Sequence, residues 1–241
     1  LEAQKHGTIQ PMTAKKRDYQ KELDKIIQSI TASPAASKPT LLLHACCAPC
    51  SSYVIEYLSH VFAITIYYYN PNIHPQAEYV RRLEELKKFL HTFPLATQNS
   101  VTLVVADYNP QDYFEATNVQ NEPALQTEPE KGERCRRCYQ FRLHRAYEYA
   151  CEHSFDWFTT TLSISPHKDA DKINAIGEAL QVTQQLQPLS TRAQVTQFLP
   201  SNFKKRGGFL RSTQLSAEYG LWRQDYCGCV YSKQNMAHAD T

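Results

Sequence analysis

Glycine is nearly missing from this chain, with seven in 241 residues, and none stands in the loop after the first apolar strand. A loop that cradles a nucleotide's pyrophosphate needs glycine there, because the backbone itself must approach the phosphates. ATP chemistry is therefore disfavoured. Nor is there an apolar run of the roughly 18 residues that a membrane helix needs, and the polar N-terminus lacks the apolar stretch of a signal peptide. An excess of one charge is missing too. The 26 Lys and Arg stand against 24 Asp and Glu, a formal net charge of +2, so any attraction to nucleic acid must be local. There is no internal repeat and no low-complexity tract. Cysteine, by contrast, is plentiful. Eight thiols without an export signal indicate a reducing, cytoplasmic setting, where they serve metal or redox chemistry rather than structural disulfides.

The chain is long enough to bury a real core. Residues 1–17 are polar and aperiodic and are expected to form a disordered extension; residues 233–241 are expected to form a tail. Between them, 18–232 reads as a single α/β domain. Tyr19, Leu23, Ile26, Ile27 and Ile30 recur at helical spacing, and a Ser/Ala/Pro-rich linker follows at 31–40. Leu41–Ala45 reads as a strand and Pro49–His60 as a helix. Val61–Tyr69 is a continuous β-branched and aromatic run, the pattern of a parallel strand covered on both faces. A helix over 76–91 carries the opposite-charge pairs Glu78–Arg82, Arg81–Glu85 and Glu84–Lys88, which read as a solvated face. A third strand follows at Val101–Val105, a loop at 119–131, a long helix at Glu133–His153 and a fourth strand at Trp157–Leu162. Ser165-Pro166 is expected to cap and open the next helix, and another is expected near 212–220. This alternation predicts a three-layer α/β fold around a parallel sheet, with a cysteine-bearing extension at its C-terminal end.

The thiols fall into four groups. Cys46, Cys47 and Cys50 crowd the end of the first strand, where open α/β sheets hold their ligands. Cys135 and Cys138 form C-x-x-C in the first turn of the long helix, a place whose dipole favours thiolate. Cys227 and Cys229 form C-x-C, and Cys151, amid apolar neighbours, reads as a buried spectator. C-x-x-C alone leaves structural zinc, a redox dithiol and a cluster half-site open. Adjacent Cys46-Cys47 departs from the spacing of zinc ligand pairs and can instead address different irons of a [4Fe–4S] cluster. Cys50, Cys227 and Cys229 then remain for a second metal site, or Cys227 and Cys229 for a redox-active disulfide.

Two basic stretches carry local charge. Arg136 and Arg137 lie in the first, between Lys131 and Arg145; Lys204, Lys205, Arg206 and Arg211 make the second, flanked by Phe203 and Phe209. Each is read as either a solvated face or a groove for a polyphosphate backbone. Asp107, Asp225 and Tyr226 are candidate proton donors by position.

The segments Leu42–Ser52, Tyr69–Ile73, Arg134–Tyr139, Thr160–Pro166 and Phe203–Ser232 resemble, in order, those of the QueH family of cobalamin-independent epoxyqueuosine reductases. The resemblance covers about residues 18–232. It implies a HUP-like, Rossmannoid fold and reduction of epoxyqueuosine to queuosine at the wobble position of tRNA with a GUN anticodon, the last step of queuosine synthesis. It also implies a [4Fe–4S] cluster on Cys46, Cys47, Cys135 and Cys138, no cobalamin, a low-potential electron donor, and either a mononuclear iron on Cys50, Cys227 and Cys229 or a Cys227–Cys229 disulfide. Two rivals share parts of this pattern. A PP-loop-like tRNA sulfurtransferase needs S-G-G-x-D-S where this chain has Cys46-Cys47-Ala48-Pro49-Cys50. A metal-stabilised tRNA-binding module would be colourless with zinc and without catalysis.

Overall fold

The computed structural model describes residues 17–33, 37–186 and 195–233. The extensions expected at 1–17 and 233–241 lie outside the described residues, apart from Arg17 and Lys233. Helix α1 (Tyr19–Ala32) starts at Asp18, whose carboxylate accepts the Lys21 N–H. Strand β1 (Thr40–His44) leads into α2 (Ala48–Leu58), and β2 (Ala63–Tyr68) into α3 (Gln76–Thr92) and the short α4 (Pro94–Gln98). After β3 (Thr102–Val105) come α5 (Pro110–Thr117), α6 (Pro123–Thr127) and the long α7 (Glu133–Glu152). Strand β4 (Trp157–Thr160), a tight 3₁₀ turn (Thr161–Ile164), α8 (Ala170–Leu186), β5 (Gln197–Phe198) and α9 (Gly208–Glu218) complete the described chain.

The five strands are all parallel, in the order β3-β2-β1-β4-β5. Strand β1 is central because Leu41, Leu42 and Leu43 are all apolar and fully buried, which only a strand covered on both faces requires. Its period of two divides the core. Leu41 and Leu43 pack with Leu23, Val54, Leu86 and Leu215 of α1, α2, α3 and α9; Leu42 packs with Leu143, Tyr147 and Ile173 of α7 and α8. The expected three layers are therefore present. The chain winds outward from β1 to β3 and then crosses back to β4 on β1's other side. The switch point lies beyond the carboxyl ends of β1 and β4, where the Cys46 loop and the segment after Ile164 meet.

Four expectations change. The loop expected at 119–131 contains α6. The fourth strand stops at Thr160, whose hydroxyl accepts the Leu162 N–H and turns the chain into the 3₁₀ segment. Ser165-Pro166 does not open α8. Asp169 does, its carboxylate accepting the N–H groups of Asp171 and Lys172, so Lys168 is left outside the helix and turned into the protein. Arg82, read as part of a solvated face, is fully buried, whereas its neighbour pair Glu84–Lys87 is exposed.

Gly177 of α8 lies against the Phe198 ring of β5, so closely that an added Cβ would stand 2.3 Å from two ring carbons. Alanine is worth about 1 kcal/mol more than glycine in a helix, while overpacking a core costs about 1–3 kcal/mol. Overpacking is expected to win, because Phe198 is itself buried. Gly177→Ala should lower the midpoint of chemical denaturation; a raised midpoint would show that α8 moves off the sheet freely.

Candidate active site

The first strand delivers its thiols directly to a helix start. Cys47 is the N-cap of α2, and its Sγ accepts the Cys50 N–H at 3.4 Å. The sulfurs of Cys46 and Cys47 are 3.8 Å apart, and those of Cys46, Cys47 and Cys50 all lie within 4.8 Å of one another. A separation near 3.8 Å is what two thiolates show when they share one tetrahedral ion with metal–sulfur bonds of about 2.3 Å. The separation of the two sulfurs is therefore compatible with a shared ion. Two corners of an iron–sulfur cluster would have to splay further, since each bonds a different iron.

Helix α7 supplies Cys135 and Cys138. Its free N-terminal N–H groups are taken by Glu128, whose carboxylate accepts from Glu133 and Arg134 at 2.7 Å each. At these two thiols burial opposes the favourable helix dipole. Burial pushes Cys135 up to about 11 and also raises Cys138.

The C-terminal cysteines are held by α3. Arg82 donates to the carbonyls of Tyr226 and Cys227 at 3.4 and 3.2 Å, with its Nε on Glu78 at 2.7 Å. Glu85 accepts the Trp222 N–H, and the Arg81 guanidinium lies 3.6 Å from the centre of the Trp222 indole. Between the cysteines, Gly228 has φ +113°, and an added Cβ would stand 3.0 Å from Ile73 and 3.1 Å from Arg82; both backbone and space require glycine there. Ser232 closes the loop. Its hydroxyl accepts the Cys227 N–H and donates to Glu130, and its own N–H donates to the Cys229 sulfur.

Two further buried cations face the sulfurs. Lys168 donates to Cys227 Sγ at 3.4 Å. Arg142, one helical turn beyond Cys138, reaches its sulfur at 4.0 Å and donates to Asn70 at 2.6 Å. Hydrogen bonds from Cys47 and Cys50, helped by Lys168 and Arg142, hold Cys46 well below the usual thiol range. A hydrogen bond from Cys229, helped by the same two cations, does so for Cys227. Cys47, Cys50 and Cys229 are raised. In these two groups the lowered thiols, Cys46 and Cys227, line a cavity of about 490 Å³ with Cys50, Lys168, Gln224 and Tyr226. The donor set fits a metal–thiolate group. Among the described residues Arg142 meets only a thiol, an amide and the His44 ring, and its Nε is unpartnered, so sulfur-borne negative charge is what would balance it.

The predicted residues are distributed unevenly. Asp225 and Tyr226 line the cavity, the Tyr226 hydroxyl donating to the His74 carbonyl. Asp107 is exposed at the end of β3 and does not line it, because β3 is the sheet's edge strand. Cys50 clusters with Cys46 and Cys47, while the trio Cys50, Cys227 and Cys229 is not gathered within 4.8 Å among the described residues. The basic residues are engaged within the protein: Lys204 with the carbonyls of Ser165 and Lys168, Lys205 with Asp18, Arg206 with Asp24, Arg211 with Glu56, Arg136 with Glu133, and Arg137 with Glu122 and Glu133. Cys151 is buried with Leu143 and Phe158, as a spectator should be. Sequence reasoning missed Arg82, Lys168, Gln224 and Glu130. For Arg82 a signal existed: it falls on the helical stripe of Tyr79, Leu83 and Leu86. Gln224 gave none, although its Nε2 donates to Cys47 Sγ at 3.1 Å.

The family model described as epoxyqueuosine reductase QueH matches residues 41–235. The chain is similar to the epoxyqueuosine reductase QueH of Streptococcus pyogenes, with 42% identity over 195 residues, 81% of this chain and 71% of the relative. It is 37% identical to that of Staphylococcus epidermidis over 221 residues, covering 92% and 87%. With that of Thermotoga maritima it shares 32% over 204 residues, covering 83% and 95%.

The effect of Lys168 on Cys227 can be tested without any metal. Lys168 favours the charged form of Cys227, so removing it should raise that thiol's pKa and leave less thiolate at neutral pH. In reduced, metal-free protein, Lys168→Met should slow iodoacetamide alkylation of Cys227 at pH 7, followed by peptide mass spectrometry. An unchanged rate would mean that Cys229 alone sustains the thiolate.

Proposed function

The chain belongs to the epoxyqueuosine reductase QueH family, and from that membership we propose that it reduces epoxyqueuosine to queuosine at the wobble position of tRNA with a GUN anticodon. The observation that supports this most is the cavity at the switch point of the sheet, lined by Cys46, Cys50 and Cys227 together with the buried Lys168. Removing an epoxide oxygen consumes two electrons and two protons and releases water. In this reading Cys46, Cys47, Cys135 and Cys138 hold a [4Fe–4S] cluster, which when bound supplies one-electron transfer from a low-potential donor.

The second electron has a place in the chain itself. Cys227 and Cys229 stand two residues apart in one loop and influence each other, Cys227 being held low and Cys229 raised, which suits a dithiol that can be oxidised. That arrangement favours a redox-active Cys227–Cys229 pair; a mononuclear iron on Cys50, Cys227 and Cys229 is the second reading, since Cys50 and Cys227 line one cavity. Lys168 and Arg142 offset negative charge that grows at the sulfurs. Asp225 and Tyr226 are the chain's candidates for delivering protons to the leaving oxygen from the cavity wall. No helix among the described residues is long and apolar enough to cross a membrane, and a cytoplasmic setting suits thiols that must stay reduced.

Anaerobically purified protein, given dithionite and tRNA carrying epoxyqueuosine, should yield a nucleoside lighter by one oxygen atom. The preparation should contain iron and sulfide, and Cys46→Ser and Cys138→Ser should lose the visible absorption of the cluster together with product. A full metal complement without product would favour a structural metal site in a binding module. Iron content distinguishes the two readings of the second centre. Cys227→Ala/Cys229→Ala should abolish reduction with iron unchanged if the pair is a disulfide, and should lose one iron if it is a metal site.

The cations Lys204, Lys205, Arg206 and Arg211 are proposed to exchange their internal acceptors for tRNA phosphates, with Arg136 and Arg137 as a second such group. Replacing the first four by glutamine should weaken tRNA binding and shrink its log–log salt slope by up to about 3, at roughly 0.7–0.9 per phosphate. An unchanged slope would leave them as ion-paired surface.

A further inference from the structure

Phe209 is 37% exposed, the one aromatic among the large hydrophobic side chains found exposed in the described residues, and its neighbour Leu210 is 61% exposed. Phe209 also lines the thiol-bearing cavity, so the exposed ring stands at the mouth of the reactive site. Its position follows from the two glycines before it. Gly207 takes φ +76°, and Gly208 packs so tightly that a Cβ would stand 2.0 Å from the Phe203 carbonyl oxygen and 2.5 Å from the Tyr53 ring. Helix α9 thus begins hard against the core, and its second residue is turned outward to the rim. Beside the ring lies Arg223, also on the cavity wall, its guanidinium 5.3 Å from the ring centre. Arg223 is steadied by the Ser216 hydroxyl at 3.1 Å and the Ser212 carbonyl at 3.4 Å.

A planar ring and a planar cation at the rim of a cavity offer stacking surfaces that any nucleobase fits, whatever its sequence. Resting on the tRNA reading above, we propose that Phe209 and Arg223 form a stacking platform for the nucleotide next to the modified one. The modified base enters the cavity, and the strand must then continue over its rim. The exposed ring meets that neighbouring base there, while Lys205, Arg206 and Arg211, on the approach to α9 and in its first turn, lie where the backbone would leave. The cavity volume falls within the range of about 300–1,000 Å³ usual for one small ligand, so the neighbour is accommodated outside it. The platform therefore selects for a single-stranded loop over a free nucleoside.

The test uses an anticodon stem-loop RNA bearing epoxyqueuosine, with binding measured by anisotropy under anaerobic conditions. Phe209→Ala should weaken binding on the order of tenfold, the usual loss for one base–aromatic stack, with its circular dichroism unchanged. Phe209→Trp should restore affinity, and its indole emission should be quenched by the RNA. An abasic residue at one flanking nucleotide should weaken wild-type binding by a similar factor, add nothing to Phe209→Ala, and abolish the quenching. Equal binding by wild type and Phe209→Ala, or losses that simply multiply at both flanking positions, would overturn the platform. Coupling seen without any product would instead overturn the reductase reading and leave the platform standing.

Discussion

Burying several sulfurs together is unfavourable to each one's ionisation, and the site depends on how that is offset. Arg82, Arg142 and Lys168 are buried beside the cysteines, and of these, among the described residues, only Arg82 has a carboxylate on it. A charge kept from water needs an opposite charge or several hydrogen bonds. Cations and thiols therefore require one another. The outcome is selective: desolvation wins at Cys135 and Cys138, while hydrogen bonds from neighbouring thiols and the nearby cations win at Cys46 and Cys227. Both of the lowered sulfurs lie on the cavity wall, beside the raised Cys50.

Each cation comes from a different part of the fold: Arg82 from α3, Arg142 from α7, and Lys168 from the loop before α8. The sheet makes that convergence possible, because the loops leaving β1 and β4 open at its switch point. The C-terminal segment is then held by Arg82, Glu85 and Arg81, so that one helix anchors the backbone on either side of Cys227. Lys204 adds a second tie, its ammonium holding the carbonyls of Ser165 and Lys168 and so fixing the loop that presents the Lys168 amine.

The same economy of charge appears at the surface. The basic residues near α9 face Asp18, Asp24 and Glu56, which keeps them oriented without a polyanion present. Exposed pairs of this kind contribute little to stability, about 0–1 kcal/mol each.

The alternation of apolar runs and helical stripes by itself determined the layered fold. Leu41–Leu43 and Val61–Tyr69 could be buried only as central parallel strands, so the three layers and the thiols at a strand's carboxyl end were legible. Strand β5 was not, since two residues carry no period, and Asp169 rather than Ser165-Pro166 started α8 because its carboxylate caps the actual first turn. Local pattern also misread Arg82. Its spacing from Glu78 is that of a surface pair, and the pair does form, but the side chain lies on the buried stripe and its remaining donors meet the carbonyls of Tyr226 and Cys227. Which sulfurs approach, which keep the charge and which cations attend them were decided by the tertiary structure alone. Cysteine spacing is a property of the chain, whereas ionisation depends on neighbours brought from distant segments, and those neighbours exist only once the sheet has closed around them.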